Sequence, residues 1–326
     1  MEDLKTKNTL EARQLHYPIL NPVGDYEYWS FSIKTNTGEF IKAYLSLNEL
    51  FTVPVKSSVN FIYIDKEGNE IKESLIIKSD KCVFDQDKFN ISIADNYCIK
   101  HEDHYELNVL INGTGCNLKI IPKFPAWQKT KNGIISKNLL GSIFLAWNIP
   151  VPYAKIDGEL FLCGEKSLIS AYGSLDHAWG NQNIGKEVKY MFVGSCFLDD
   201  SVWAYHVGLM RDNVLGAKLV CIDKNGNSYS YMKDFDLKEI NVRILEYVEN
   251  SNNTIPKLIE IKNKKAEIDL LIDIKKQVSK DNQFRTKMKA LESIDFISEV
   301  SVRKTKSKLK KLINTTNITE LYMFKD

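Results

Sequence analysis

Apolar and polar residues alternate along most of this chain, and a period of two leaves antiparallel sheet as the main thing it can build. "SVNFIYID" sets Val59, Phe61 and Tyr63 on one side; "KFNISIADN" does the same with Phe89, Ile91 and Ile93. "KAEIDLLIDIKKQVS" repeats it with Ile268, Leu270, Ile272 and Ile274. Successive strand side chains point to opposite faces, so each run makes one dry and one wet face. "DKEGNE" and "DKNGNS" read as hairpin turns after residues 59–64 and 214–222, and "LDDSV" at 198–202 as a third. Helical spacing is confined to "SLNELF" at 46–51 and a turn near 284–291. Many strands at short spacing predict a mainly β protein of sandwiches or barrels.

At 326 residues the chain is too long for one ordinary barrel and suits two domains, 1–170 and 171–326. A distant echo supports a tandem: "DYEYWSFSIKTNTGEF" resembles "VKYMFVGSCFLDDSVW", each an aromatic strand, a polar turn and another aromatic. Between them, residues 122–158 hold Pro122, Pro125, Pro150 and Pro152 and two tryptophans. Proline cannot donate to a central ladder, so this segment reads as a long loop or an edge.

Hydrophobic residues at 44 % and charged residues at 26 % give a globular composition, and a net charge of +2 gives no sign of nucleic-acid binding. The polar N-terminus lacks the apolar core of a secretory signal, and no apolar run is long enough to cross a bilayer, so a soluble cytoplasmic protein is expected. Six cysteines without a Cys-x-x-Cys pair read as reduced, buried thiols. The basic 303–311 segment reads as a solvated strand face or loop, or else as a transient contact with an anionic membrane surface.

"HEDH" (101–104) lies between two strands and reads as a turn rather than a zinc site. His16 and His206 look structural. No Gly-x-Ser-x-Gly elbow, phosphate loop or dinucleotide fingerprint occurs, so neither a metal nor a cofactor is expected. What remains is "YGSLDHAWGNQNIG" (172–185), where Asp176, His177 and Trp179 stand between Gly173 and Gly180. Those glycines allow a tight turn or a close backbone approach. By residue type alone the box has two readings. Asp176 caps a turn, His177 bonds backbone and Trp179 fills a core; or the group is an acid site.

"GSLDHAWGN" resembles the Gly-x-x-Asp-His-x-Trp-Gly signature of the carotenoid 1,2-hydratase (hydroxyneurosporene synthase) superfamily. That group includes AttH-like proteins, kievitone-hydratase-like enzymes and decalin-forming Diels–Alderases. The likeness extends through "WNIPVPYAKIDGELFLCGEKSLISAYGSLDHAWGN", "EYWSF" (27–31), "FLDDSVWAYHVGLMRDN" and "ITELYMF", nearly the whole chain. It implies two tandem lipocalin-like antiparallel β domains with an apolar ligand cavity near their interface. It also implies chemistry: Asp176 protonates an alkene, Trp147 and Trp179 shelter the cation, and His177 positions a water. Protonating so poor a base needs a carboxyl kept neutral by burial. Ser174 replaces the tyrosine usual in the hydratases, and Tyr172 lies two residues back on the same side of a regular strand. Ala178 follows His177 where relatives often carry a polar residue. Three functions stay open: alkene protonation with hydration, isomerisation or cyclisation of an isoprenoid- or polyketide-like molecule; cyclisation driven by shape; and a non-catalytic carrier.

Overall fold

The structure is a computed structural model that describes residues 25–48, 56–78, 82–85, 89–128, 134–137, 144–181, 188–198, 200–210, 215–230, 240–250, 253–263, 268–281, 291–304 and 312–324. Every regular element among them is a strand. The first sheet holds β1 (Asp25–Thr35), β2 (Phe40–Asn48), β3 (Lys56–Ile64), β4 (Glu70–Lys78), β5 (Cys82–Asp85), β6 (Asn90–Ile93), β7 (Asn96–Lys100), β8 (Tyr105–Ile111), β9 (Thr114–Pro122), β10 (Trp127–Gln128), β11 (Ile134–Lys137), β12 (Phe144–Leu162) and β13 (Glu165–Asn181). The second holds β14 (Val188–Phe197), β15 (Ser201–Met210), β16 (Leu215–Asp223), β17 (Ser228–Ser230), β18 (Ile240–Asn250), β19 (Asn253–Asn263), β20 (Ile268–Asp281), β21 (Leu291–Lys304) and β22 (Leu312–Phe324).

The alternation in the sequence becomes burial. Val59, Phe61, Phe89, Ile91 and Ile93 all enter the first core with Trp29, Phe31 and Leu175, while Leu270, Ile272 and Ile274 enter the second with Phe192, Trp203 and Tyr205. The first sheet runs β4-β3-β2-β1-β13-β12-β9-β8-β7-β6-β5, with β10 and β11 also paired to β12. It curls on itself, so that β2 and β3 meet β6 and β4 meets β8. The result is a barrel-like antiparallel wall around its own core.

The second sheet runs β17-β16-β15-β14-β22-β21-β20-β19-β18. This repeats the order of the first: a four-strand meander whose first strand is clasped by the last strand of its sheet. The two echoing segments of the sequence fall at matching places, β1–β2 and β14–β15. The two Asp-Lys-x-Gly-Asn turns also match, closing β3–β4 and β16–β17. In each, the Asp carboxylate accepts the backbone N–H of the Asn four residues on, at 2.7 Å for Asp65 and 2.9 Å for Asp223. In each, the glycine has positive φ, 82° at Gly68 and 85° at Gly226. The "LDDSV" turn also forms, with Leu198 N–H bonded to the Ser201 carbonyl.

Four expectations are corrected. The proline-bearing 122–158 segment is not one loop: its described residues include β10, β11 and, from residue 144 on, the first part of β12, a 19-residue strand held between β13 and β9. Pro150 and Pro152 sit at the register shifts between Asn148 and Val151 and between Val151 and Ala154, where the ladder asks for no donor. A boundary near 170 would cut β13, which runs unbroken from Glu165 to Asn181 and belongs to the first sheet. The compact units are Met1–Ile184 with Ile222–Asn227, and Gly185–Cys221 with Ser228–Asp326. Residues 46–48 of "SLNELF" finish β2; 49–51 lie outside the described residues, as do 284–290 and His16. Cys163 is exposed at the β12–β13 turn, whereas Cys98, Cys116, Cys196 and Cys221 are buried as expected. Most of the basic 303–311 segment lies outside the described residues; Arg303 and Lys304 end β21. Among the described residues no helix is long and apolar enough to cross a membrane.

Candidate active site

Alternation along β13 divides the Asp-His-Trp box between two faces. Leu175 joins the barrel core, so His177 and Trp179, two and four residues on, point the same way. Ser174, Asp176 and Ala178 face away from that core. β1 is the partner on one side: Trp29 lies opposite His177, Ser30 opposite Asp176 and Ser32 opposite Ser174. On the other side β12 sets Trp147 opposite Ala178 and Asn148 opposite His177. Gly173 explains the glycine before the box. Its backbone packs so tightly on β1 that a Cβ there would lie 2.4 Å from the Ser32 carbonyl oxygen. The box is therefore strand interior, with close approach rather than a turn.

On the core side, His177 is enclosed by indoles. Its ring stacks on Trp29 at 4.9 Å and 2°, and on Trp179 at 4.4 Å and 24°. Its Nε2 lies 2.8 Å from Glu27 Oε1, and both side chains have 0 % exposure. Such a pair joins β1 to β13 inside the barrel and costs far more to break than a surface ion pair.

On the opposite face stands Asp176. The Trp147 indole donates to its Oδ1 at 3.1 Å, and Ser174 Oγ donates to its Oδ2 at 3.5 Å. Burial pushes its pKa up from 3.8 to about 6, against the downward pull of the Trp147 bond, the Lys42 charge and the Ser174 bond. Trp147 in turn packs against Trp127 at 5.2 Å. Farther along the face Tyr172 stacks on Tyr153 at 6.0 Å, and Tyr153 packs on Phe124 at 5.0 Å.

The structure thus brings together Asp176, Trp147, Ser174 and Tyr172, and sets His177 and Trp179 apart from them. Sequence neighbours in a strand point to opposite faces, so the Asp-His pair is not a dyad, and His177 does not reach what Asp176 touches. Glu27, Trp29, Trp127 and Lys42 were not singled out by sequence. Glu27 left a signal: it is the one acid in the run Glu27, Trp29, Phe31, Ile33 along a core face.

The "HEDH" segment forms the expected turn, with His101 N–H bonded to the His104 carbonyl. Its imidazoles stack at 4.5 Å, His101 lying 3.3 Å from Glu106 and His104 2.7 Å from Asp103. Among the described residues no three His, Cys, Asp or Glu side chains converge on a metal-sized site. His206 is buried on the face of β15 opposite the core residues Tyr205 and Val207, and burial and the Lys218 charge push its pKa down to about 3.

Solved structures share this architecture. An AttH-like protein of Nitrosomonas europaea superposes with a TM-score of 0.65 at 12 % identity, over 91 % of this chain and 92 % of that one. Kievitone hydratase of Nectria haematococca gives 0.63 at 13 % identity, over 98 % and 97 %. CghA, solved with Sch210972, gives 0.59 at 11 % identity, over 93 % and 89 %. The chain has their lipocalin-like fold. Neither a protein-family model nor a curated protein matches it by sequence.

Proposed function

We propose that the protein is an enzyme that protonates an alkene of an apolar, isoprenoid- or polyketide-like molecule, with Asp176 as the acid. The observation that carries this reading is the setting of Asp176: a half-buried carboxyl held by one indole N–H and backed by a second indole. Trp147 occupies Oδ1, so the proton sits on Oδ2, and in the neutral acid the Ser174 hydroxyl, 3.5 Å away, turns from donor to acceptor. With a pKa of about 6, about a tenth of the carboxyl is neutral at pH 7, enough to supply the acid form.

Transfer of that proton makes a C–H bond and a carbocation, leaving Asp176 as carboxylate. The faces of Trp147 and Trp127 offer the cation an electron-rich neighbour. A water that adds to the cation gives its spare proton back to Asp176, for net hydration. Loss of a different proton gives isomerisation, and attack by an internal alkene gives cyclisation. One protein of this fold is named a hydratase. His177, on the far side of β13, takes no part in activating the water.

A second reading, cyclisation by shape alone, is favoured by the aromatic row Tyr172, Tyr153 and Phe124, which offers a wall for a folded polyene. Incubating wild type and Asp176→Asn with an apolar extract of the source cells, followed by untargeted mass spectrometry, separates the readings. Acid catalysis gives a product gaining one water, or an isomer, only with wild type. Cyclisation by shape survives largely in the variant. A ligand retained unchanged by both proteins would make this a carrier.

A further inference from the structure

Around Asp176 the sheet carries more polarity than a hydrocarbon substrate can use. β1 pairs with β2 as well as with β13, and the registers stack into two cross-strand rows. One is Lys42, Ser32, Ser174; the next is Tyr44, Ser30, Asp176. Directly paired residues share a face, and adjacent strands lie about 4.8 Å apart, so these six side chains form one continuous patch. Three of its members are serines, whose small side chains make a floor of hydroxyls between taller walls. Lys42 and Tyr44 form one wall and Trp147 the other.

Half of the patch is buried, and Ser32, Tyr44 and Asp176 beside it are half-buried. Lys42 is 2 % exposed, and Ser30 and Ser174 are buried with it. Burying an ammonium costs several kcal/mol unless negative or polar groups answer it. Lys42 Nζ donates to Tyr44 Oη at 3.1 Å and lies 5.4 Å from the centre of that ring, and its charge is felt at Asp176. A lysine on the outward face of a barrel strand has open water as its ordinary fate. Here it is kept indoors, one row from the acid, beside hydroxyls that both donate and accept.

We propose that the Lys42, Tyr44 and serine patch is a head-group subsite, and that the ligand is an apolar chain ending in a carboxylate rather than a plain hydrocarbon. Lys42 takes the negative charge, the Ser32 and Ser174 hydroxyls take remaining lone pairs, and the chain runs over Asp176 toward Trp147 and Trp127. The proposal deepens the alkene-protonation reading: an oxyanion at Lys42 engages the cation that otherwise steadies the Asp176 carboxylate, so ligand binding favours the protonated acid.

The test is a binding measurement, so it stands apart from turnover. The probes are farnesoic acid and its methyl ester, which share a chain and differ in head-group charge. Titrated by tryptophan fluorescence at pH 7.5, the acid is expected to bind wild type at least ten-fold more tightly than the ester. Lys42→Met is expected to erase that preference, since a buried ammonium–carboxylate contact is worth roughly a factor of ten, while leaving ester affinity within about two-fold. Lys42→Arg keeps part of the preference and controls for misfolding, as does the circular dichroism of each variant. Equal affinity of wild type for acid and ester, absence of binding of both, or equal loss of both in Lys42→Met would overturn the proposal. Asp176→Asn keeps the acid preference. If it also keeps turnover, the proton-donor reading fails and the head-group subsite stands.

Discussion

Removing one half of the Glu27–His177 pair should be among the most damaging single changes in the first sheet. Glu27→Leu leaves the imidazole enclosed by Trp29 and Trp179 with its 2.8 Å acceptor gone and no exposure through which water could replace it. Breaking a buried, hydrogen-bonded pair from one side costs about 3–5 kcal/mol. The double variant Glu27→Leu/His177→Phe removes both polar groups and puts an aromatic ring where one already stacks. Replacing a whole buried pair by apolar groups is often neutral, so the double variant is expected within about 1–2 kcal/mol of wild type. The coupling between the two substitutions then exceeds about 2 kcal/mol, at the upper end for residues in contact. Urea unfolding followed by tryptophan fluorescence measures it, because the His177 ring lies on two indoles. A Glu27→Leu variant within 1 kcal/mol of wild type, or a double variant that merely sums the singles, would refute the reasoning. Because the pair faces away from Asp176, turnover per folded molecule in the double variant should fall by less than ten-fold.

The raised pKa of Asp176 means that the folded protein favours the neutral acid; that stabilisation is complete below pH 3.8, lost as the pH rises through about 6, and worth up to about 3 kcal/mol. Asp176→Asn, always neutral, should therefore melt higher than wild type at pH 7.5 and converge with it toward pH 4 in thermal scans. Turnover should fall above pH 6 as the acid deprotonates, and Trp147→Phe, which removes a bond to the carboxylate, should move that fall upward by on the order of one pH unit. His206, held neutral by burial, should make stability decline as the pH drops from 6.5 toward 3, and His206→Phe should flatten that limb in acid titrations. Gly173→Ala, whose Cβ would meet the Ser32 carbonyl, should destabilise by about 1–3 kcal/mol in urea unfolding.

Much of the fold was legible in the sequence because its signals are local. Alternation at Val59/Phe61 and Leu270/Ile272 names a buried face without any knowledge of partners, and the Asp-Lys-x-Gly-Asn turns carry their own hydrogen bonds. The misread parts depend on pairing. Pro150 and Pro152 argued against a central strand until the register shifts beside Val151 showed where the ladder skips. Gly173 stayed open between a tight turn and a close backbone approach because the sequence cannot show how near the backbone of β1 comes.

The site was half legible for the same reason. The likeness around "GSLDHAWGN" drew attention to this segment, and alternation places Asp176, Ser174 and Tyr172 on one face. Taken alone it also places His177 and Trp179 on the other side of the strand, whereas the resemblance implied that they act beside Asp176. Lys42 was beyond reach. In "FIKAYLSLN" it sits at an outward position, where a lysine is ordinary, and its burial is a property of what covers the sheet.

The central claim is that Asp176 delivers a proton to carbon. It is tested most directly by running the reaction in D2O and reading the product by mass spectrometry and NMR. Wild type should place one deuterium on a carbon of the former alkene, and Asp176→Asn should form no such product. A product carrying no carbon-bound deuterium, or the same deuterated product from Asp176→Asn at an undiminished rate, would contradict the account.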